Sequence, residues 1–370
     1  MHSIPLIKPY ITAKVKKAVC DVLDSGHLTE GTVTRAFENE VAKYLDVSHA
    51  IAVTSCTTGL EVALRAFSVG PGDEVILPDY TYPATADVVA MLGATPVIVD
   101  VVPSTMLMDR LATEMAITPK TKVIMPVSLF GNPLDYSWLN ALKEQYNLAI
   151  IEDSACSLGA RWKGRAVGGL ADISVFSMHP RKFITTGEGG MITTNNRLLA
   201  EWMNSYKHFG METLDADRNK THFARIGTNY KLSDVLSAIG LAQMQDIDLL
   251  LTERRAQAEL YNRLLASDDR MRLPETTPEG EHSWQTYCVF VDNRDRIMQG
   301  LRAMGIEVQI GTYAIHMHPA FAEYRRVNAS REMQLTGSVE VFRKALALPL
   351  YHGLTESEQN YVVEKLRAEI

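Results

Sequence analysis

The sequence predicts an α/β protein: a large domain built on a mostly parallel, helix-covered sheet, followed by a smaller C-terminal α/β domain. Two observations carry this reading. Short β-branched runs bounded by turn residues alternate with segments of helical period, and beyond about Asn229 the alternation gives way to a long helical stretch and a mixed tail. A chain of 370 residues suits two such units.

Near the start, Phe37, Val41 and Tyr44 share one face of a helix expected over residues 34–45, with Gly31-Thr-Val-Thr34 as its cap. Residues 51–54, 74–77, 96–99, 122–125 and 148–151 read as strands. Between the first two, Leu60, Ala63, Leu64 and Phe67 recur at i, i+3, i+4 and i+7 and predict a helix over residues 58–67. Another strand is expected over residues 173–176. Residues 233–266, rich in Leu, Ala, Gln and Arg and free of Pro, predict a long bridging helical stretch. After it come a loop with Pro274 and Pro278, a strand over 287–291, a helix near 294–304 and a closing helix over 355–368. The boundary is placed at 245/246: residues 1–245 form the larger domain with the N-terminal segment, and 246–370 the smaller one with the bridging helix.

The net charge of −7 argues against general nucleic-acid binding, which needs excess Lys and Arg to displace counterions from phosphates. Cys20, Cys56, Cys156 and Cys288 lie far apart without a CxxC pair, so no disulfide framework or structural zinc site is indicated, and no metal is expected. A reducing cytoplasm fits. Residues 1–17 lack the continuous apolar segment of a signal peptide. The most apolar stretch, residues 84–102, is interrupted by Asp87, Gly93, Pro96 and Asp100, too often for a bilayer helix, so no membrane partner is expected.

Three segments carry chemistry. Thr54-Ser-Cys-Thr-Thr-Gly59 joins a strand to an amphipathic helix, where free N–H groups, the helix dipole and hydroxyls suit a phosphate; ordinary N-capping accounts for the same residues. Ile150-Ile-Glu-Asp153 is an apolar strand ending in two carboxylates, at the end of a parallel sheet where ligands collect; an acidic turn is the alternative. In Ser177-Met-His-Pro-Arg-Lys-Phe-Ile-Thr-Thr-Gly-Glu-Gly-Gly190, Lys182 lies between a buried strand and a glycine turn. Burial of its stem and nearby groups are expected to lower its pKa, as amine chemistry requires, whereas most lysines are merely solvated.

Taken in order, Ser55-Cys-Thr57, Gly70-Pro-Gly-Asp-Glu-Val75, Asp79-Tyr-Thr-Tyr-Pro-Ala-Thr85, Glu152-Asp153, Ser177 with Lys182 five positions on, Thr186-Gly-Glu-Gly-Gly190 and Gly227-Thr-Asn-Tyr-Lys231 resemble the DegT/DnrJ/EryC1/StrS aminotransferases, from about Ile7 to the C-terminal helix. The resemblance implies a fold type I pyridoxal 5′-phosphate (PLP) transferase, a homodimer with shared active sites that moves an amino group from L-glutamate to a nucleotide-linked keto-sugar. By matching position, Lys182 holds the cofactor as a Schiff base and Asp153 pairs with the pyridine nitrogen. Tyr82 stacks on the ring, Cys56, Thr57 and Ser177 hold the phosphate, Cys156 lies near the ring hydroxyl, and Asn229 reaches the phosphate of the partner subunit. Glu188, Tyr313 and His316 fall in the substrate region.

Three departures from the family pattern stand out. Cys56 replaces a common Gly, so its side chain must turn away from the phosphate. Cys156 replaces the usual Gln or His and donates a hydrogen bond poorly. Gly311-Thr-Tyr-Ala-Ile-His316 replaces a His-Tyr-Pro pattern, so sugar preference is not inherited from any one relative. His316-Met-His318 lacks a spaced third ligand and is not read as a metal site. Two other functions fit parts of the pattern: a PLP-binding regulator without turnover, and a deoxysugar dehydratase, whose relatives carry His where this chain has Lys182.

Overall fold

The structure is a computed structural model that describes residues 3–212, 220–328 and 334–370. Its centre is an eight-stranded sheet in the order His49–Val53, Gly190–Thr194, Ile173–Ser177, Ala149–Asp153, Thr121–Ile124, Glu74–Pro78, Thr95–Val99 and Arg326–Val327. Pairing is parallel throughout except that Gly190–Thr194 runs antiparallel to both neighbours. The strands are rich in Val and Ile because helices cover both faces, and each fully buried side chain of that size contributes about 1.5–3 kcal/mol of transfer free energy.

Strand alternation sorts side chains between two cores. Ile76, Ile124 and Ile150 join Phe37, Tyr136 and Leu139 on one face. Val75, Leu77, Val123 and Ile151 join Leu60 and Leu64 of the helix Cys56–Ala66 on the other. Asp153 has the parity of Ile151 and therefore faces that helix, while Glu152 faces the opposite core. There Tyr136 Oη and Ser174 Oγ donate to it at 2.9 and 3.1 Å.

The second domain is an antiparallel sheet, Met271–Arg272, Tyr287–Val291, Ala345–Leu348 and Gln309–Ile310, packed against the helices Ile247–Leu265, Arg294–Ala303 and Glu356–Glu369. Two segments cross the expected boundary at 245. Ile4 packs in the core of the small domain and its N–H bonds Gly305 O at 2.9 Å. Arg326–Val327 adds an edge strand to the large sheet beside Thr95–Val99.

Two local expectations are corrected. The stretch over 233–266 is two helices, Asp234–Met244 and Ile247–Leu265, bent by 63°. The break falls at Gln245-Asp246, where the Asp246 carboxylate accepts from Tyr10 Oη and Lys14 Nζ rather than capping the second helix. Among the described residues no single helix is long and apolar enough to cross a membrane. The helix Thr32–Leu45 is not capped by its own flank: Gly31 supplies no side chain, and the buried carboxylate of Asp234 accepts from Gly31 N, Val33 N, Thr34 N and Thr34 Oγ1 at 2.7–3.2 Å. A carboxylate at a helix N-terminus satisfies orphan donors and complements the dipole.

Candidate active site

The helix Cys56–Ala66 begins with a capping box in which Ser55 Oγ accepts from Thr58 N and Thr58 Oγ1 accepts from Ser55 N. Gly59 N is bonded to Ser55 O. Cys56 and Thr57 therefore present the two leading N–H groups, which have no acceptor among the described residues. The strands press on this terminus. A Cβ on Gly190 would come within 2.5 Å of Ser55 C and one on Gly59 within 2.6 Å of Val175 Cγ1, so glycine is required at both positions for close approach. Ser177 pairs in register with Gly190, which brings its hydroxyl to the same corner, where it accepts from His179 N at 3.3 Å.

Asp153 ends its strand at this corner, buried. Oδ2 accepts from Thr85 Oγ1 at 2.8 Å, Oδ1 from Ala155 N at 3.1 Å, and the Cys56 thiol lies 3.9 Å from Oδ1. Cys56 Sγ also approaches Val175 O at 3.5 Å, so the side chain turns toward the sheet while its N–H stays at the helix start. Burial raises the Asp153 pKa above the ordinary aspartate value, against the opposing pull of Thr85, Ala155 N–H, Lys182 and Cys56. Burial and the Asp153 charge likewise push the Cys56 thiol well up.

Lys182 stands in a turn closed by its N–H to His179 O at 2.8 Å. Two buried glutamines hold this loop by its main chain. Gln285 accepts from Phe183 N at 3.1 Å and donates to Arg181 O at 2.6 Å; Gln243 accepts from Thr185 N at 3.2 Å and donates to Thr185 O at 2.6 Å. Lys182 Nζ donates to Cys156 Sγ at 3.0 Å. The expected lowering of its pKa is reversed here. Burial presses it down, but Cys156, Cys56 and Asp153 around the ammonium outweigh burial and hold it above the ordinary lysine value.

Tyr82 is 65% exposed, and its ring lies 6.3 Å from that of Tyr313, tilted by 55°. Tyr313–Ala314 pairs with Tyr80–Thr81, so the C-terminal tail forms this wall. His316 is fixed to Asp79: its N–H donates to Asp79 Oδ1 at 2.8 Å, and its Nδ1 is 2.6 Å from Oδ2. The ring of His318 meets that of Tyr313 edge-on, with centroids 5.5 Å apart.

Contacts thus join Thr85, Asp153 and Cys56 in one set and Lys182 with Cys156 in another, and the charges of Asp153 and Cys56 act on Lys182; Ser177 and the helix N-terminus are adjacent, and Tyr82 faces Tyr313. Glu188 and Asn229 are exposed, and neither touches Lys182 or Asp153 among the described residues. Asn229 Oδ1 accepts from Lys231 Nζ at 2.7 Å, in a loop tied to the phosphate-type segment by Thr54 N donating to Tyr230 O at 3.0 Å. Sequence reasoning missed Thr85, Gln243, Gln285 and Asp79. Thr85 and Asp79 lie in a quoted motif without a signal of their role; the two glutamines carry no local signal, being brought in by tertiary packing.

The donor set fits PLP. A buried carboxylate surrounded mainly by neutral donors suits a protonated ring nitrogen, a lysine amine stands beside it, and a hydroxyl-flanked helix N-terminus suits a phosphate.

Comparison with known proteins agrees. A model of the DegT/DnrJ/EryC1/StrS aminotransferase family matches residues 9–367. The chain is 36% identical to GDP-perosamine synthase of Caulobacter vibrioides over 377 residues, covering 99% of each. Its fold matches DesV of S. venezuelae, solved with a ketimine intermediate, at TM-score 0.90 and 30% identity over 100% of this chain and 98% of that one. It also matches Spr1654 of Streptococcus pneumoniae in its PLP form, at TM-score 0.91 and 29% identity over 99% and 98%.

Proposed function

This chain belongs to the DegT/DnrJ/EryC1/StrS aminotransferase family, and from that premise we propose that it uses PLP, held by Lys182, to transfer the amino group of L-glutamate to the ketone of a nucleotide-linked sugar. The observation that carries this is the convergence of Lys182 and Asp153 beside the N-terminus of the helix Cys56–Ala66. PLP, when bound, supplies an electron sink for the bonds at the donor's α-carbon.

The chain's own residues do the rest. Asp153 keeps a proton on the ring nitrogen, and Thr85 orients its carboxylate. The N–H groups of Cys56 and Thr57 and the hydroxyl of Ser177 receive the phosphate. Tyr82 offers an exposed aromatic face to the ring. Lys182, once its amine is free, carries the proton to and from the donor's α-carbon. Tyr313, His316 and Glu188 line the sugar side. The protein acts as a homodimer in which Asn229 completes the partner's phosphate site, a role its exposure allows. Its free cysteines suit a reducing cytoplasm.

The test is a panel of nucleotide keto-sugars incubated with protein, PLP and glutamate, led by the GDP-linked ketone suggested by the Caulobacter relative. Release of 2-oxoglutarate with an amino-sugar product by mass spectrometry is expected. Cofactor binding without 2-oxoglutarate from any member would favour a regulator; loss of a sugar hydroxyl without nitrogen gain would favour a dehydratase.

A further inference from the structure

We propose that Cys156 and Lys182 form a peroxide-responsive covalent pair, in which oxidation of the thiol leads to a sulfur–nitrogen bond that withdraws the lysine amine from the site. The inference concerns regulation of the site proposed above and rests on that reading for its functional consequence, but not for its chemistry.

The geometry is direct. Lys182 Nζ lies 3.0 Å from Cys156 Sγ, its hydrogen-bond partner, with no other group between them. Both residues are half-buried, open enough for a small oxidant and enclosed enough to keep the two atoms together. The other thiol of the site, Cys56, is the poorer target: burial and the adjacent Asp153 push its pKa well up, and the thiolate is the form that oxidants attack. Among the remaining cysteines, Cys288 is buried in the sheet of the small domain and Cys20 is exposed on the helix Ala13–Ser25.

Each step balances. The Cys156 sulfur attacks hydrogen peroxide; an S–O bond forms, the O–O bond breaks, and the departing hydroxide takes the thiol proton as water, leaving a sulfenic acid. The neutral Lys182 amine then attacks that sulfur. An N–S bond forms, the S–O bond breaks, and hydroxide leaves with one nitrogen proton as a second water. Sulfenic acids condense with backbone nitrogen in the same way. Two equivalents of a thiol reductant reverse the bond, restoring amine and thiol and yielding a disulfide. Since the attacking amine must be unprotonated and the Lys182 ammonium is held above the ordinary range, coupling should quicken as pH rises. When the lysine nitrogen is bonded to the cofactor it has no free pair of hydrogens, so loading should protect it.

The experiment treats purified cofactor-free protein with hydrogen peroxide at mildly alkaline pH and follows intact mass and a peptide map. The expected result is loss of two hydrogens per chain, a peptide joining Cys156 to Lys182, its disappearance with dithiothreitol, its absence in Cys156→Ser, and slower formation in PLP-loaded protein. Cys156 found only as sulfinic or sulfonic acid, joined to Cys56 as a disulfide, or unmodified would overturn the proposal; the wild-type map decides this even if the variant misfolds. Untreated protein reduced with borohydride in the presence of PLP separates the two readings. A pyridoxyl label on another lysine, with the cross-link present, refutes the cofactor assignment and leaves the pair standing. A label on Lys182 without the cross-link refutes the pair alone.

Discussion

Gln285 fixes Lys182 without touching its side chain: its amide accepts from the N–H that follows the lysine and donates to the carbonyl that precedes it. Gln285→Ala leaves two main-chain groups of the loop unpaired where Gln285 itself is buried. A buried group stripped of its partner costs about 1–3 kcal/mol, so the midpoint of urea unfolding should fall. Borohydride labelling at Lys182 should become slower or incomplete. A variant with unchanged stability and labelling would show that the clamp has no hold on the lysine.

Thr85→Val removes a hydroxyl of similar shape and its 2.8 Å bond to Asp153. A hydrogen bond to a charged acceptor contributes about 1.5–3 kcal/mol. The donor stabilises the ionised form, so its loss should raise the Asp153 pKa further, in the direction burial already drives it. The acid limb of the rate profile should therefore move to higher pH, with weaker PLP binding by titration. An unmoved limb would place the titration elsewhere.

Asp153→Asn should keep the fold and some cofactor but lose most turnover, because an amide cannot hold a pyridinium proton as a carboxylate does. Circular dichroism and single-turnover kinetics with glutamate check the two halves. Near-normal turnover would give Asp153 a different role.

Asp234→Ala tests the distant cap. Replacing a capping side chain costs about 0.5–2 kcal/mol, and with four donors lost the upper end is expected, read by thermal unfolding. Burial works against its charge, but the hydrogen bonds from Thr34, Val33 and Gly31 win and hold its pKa below the ordinary value. A carboxyl so depressed adds stability above its unfolded pKa and loses it as pH falls through the lower folded value. The gap between wild type and variant should thus narrow on acidification from neutrality and not on moving to alkaline pH.

Mixing Lys182→Ala with Asn229→Ala chains tests whether sites are shared. Each parent homodimer should be weak at limiting PLP, Asn229→Ala by about 1.5–3 kcal/mol if a charged-acceptor bond is lost. If Asn229 serves the partner, the mixed dimer regains one intact site and its other site carries both lesions. Doubly tagged dimers with no activity above either parent would refute sharing.

Periodicity and turn chemistry made most of the sheet legible: the expected strands over residues 74–77, 96–99 and 148–151 fall within one or two residues of Glu74–Pro78, Thr95–Val99 and Ala149–Asp153. The parity of Asp153 follows from the same alternation. What stayed hidden depends on distant partners. Nothing around Thr32 announces that its cap is Asp234, and nothing around Lys182 announces Gln285. The bend at Gln245-Asp246 carries no Pro or Gly, so helical composition ran across it. The direction of the Lys182 pKa depended on which acidic groups the fold would gather about it: burial does press it down as expected, but the neighbours act the other way and prevail.

The exchange of segments between the two domains sets how the chain can be divided. A fragment ending at residue 245 would leave Thr95–Val99 as a bare edge, a template for pairing with other chains, and Ile4 without its core. The complementary fragment would lack Ile4 and carry an unpaired Arg326–Val327. During synthesis the last strand of the large sheet emerges long after its neighbour, so that edge closes late, and contacts of such long sequence separation slow folding. Expression of either half alone should yield aggregates, and the polypeptide is best regarded as one cooperative unit built around three cores.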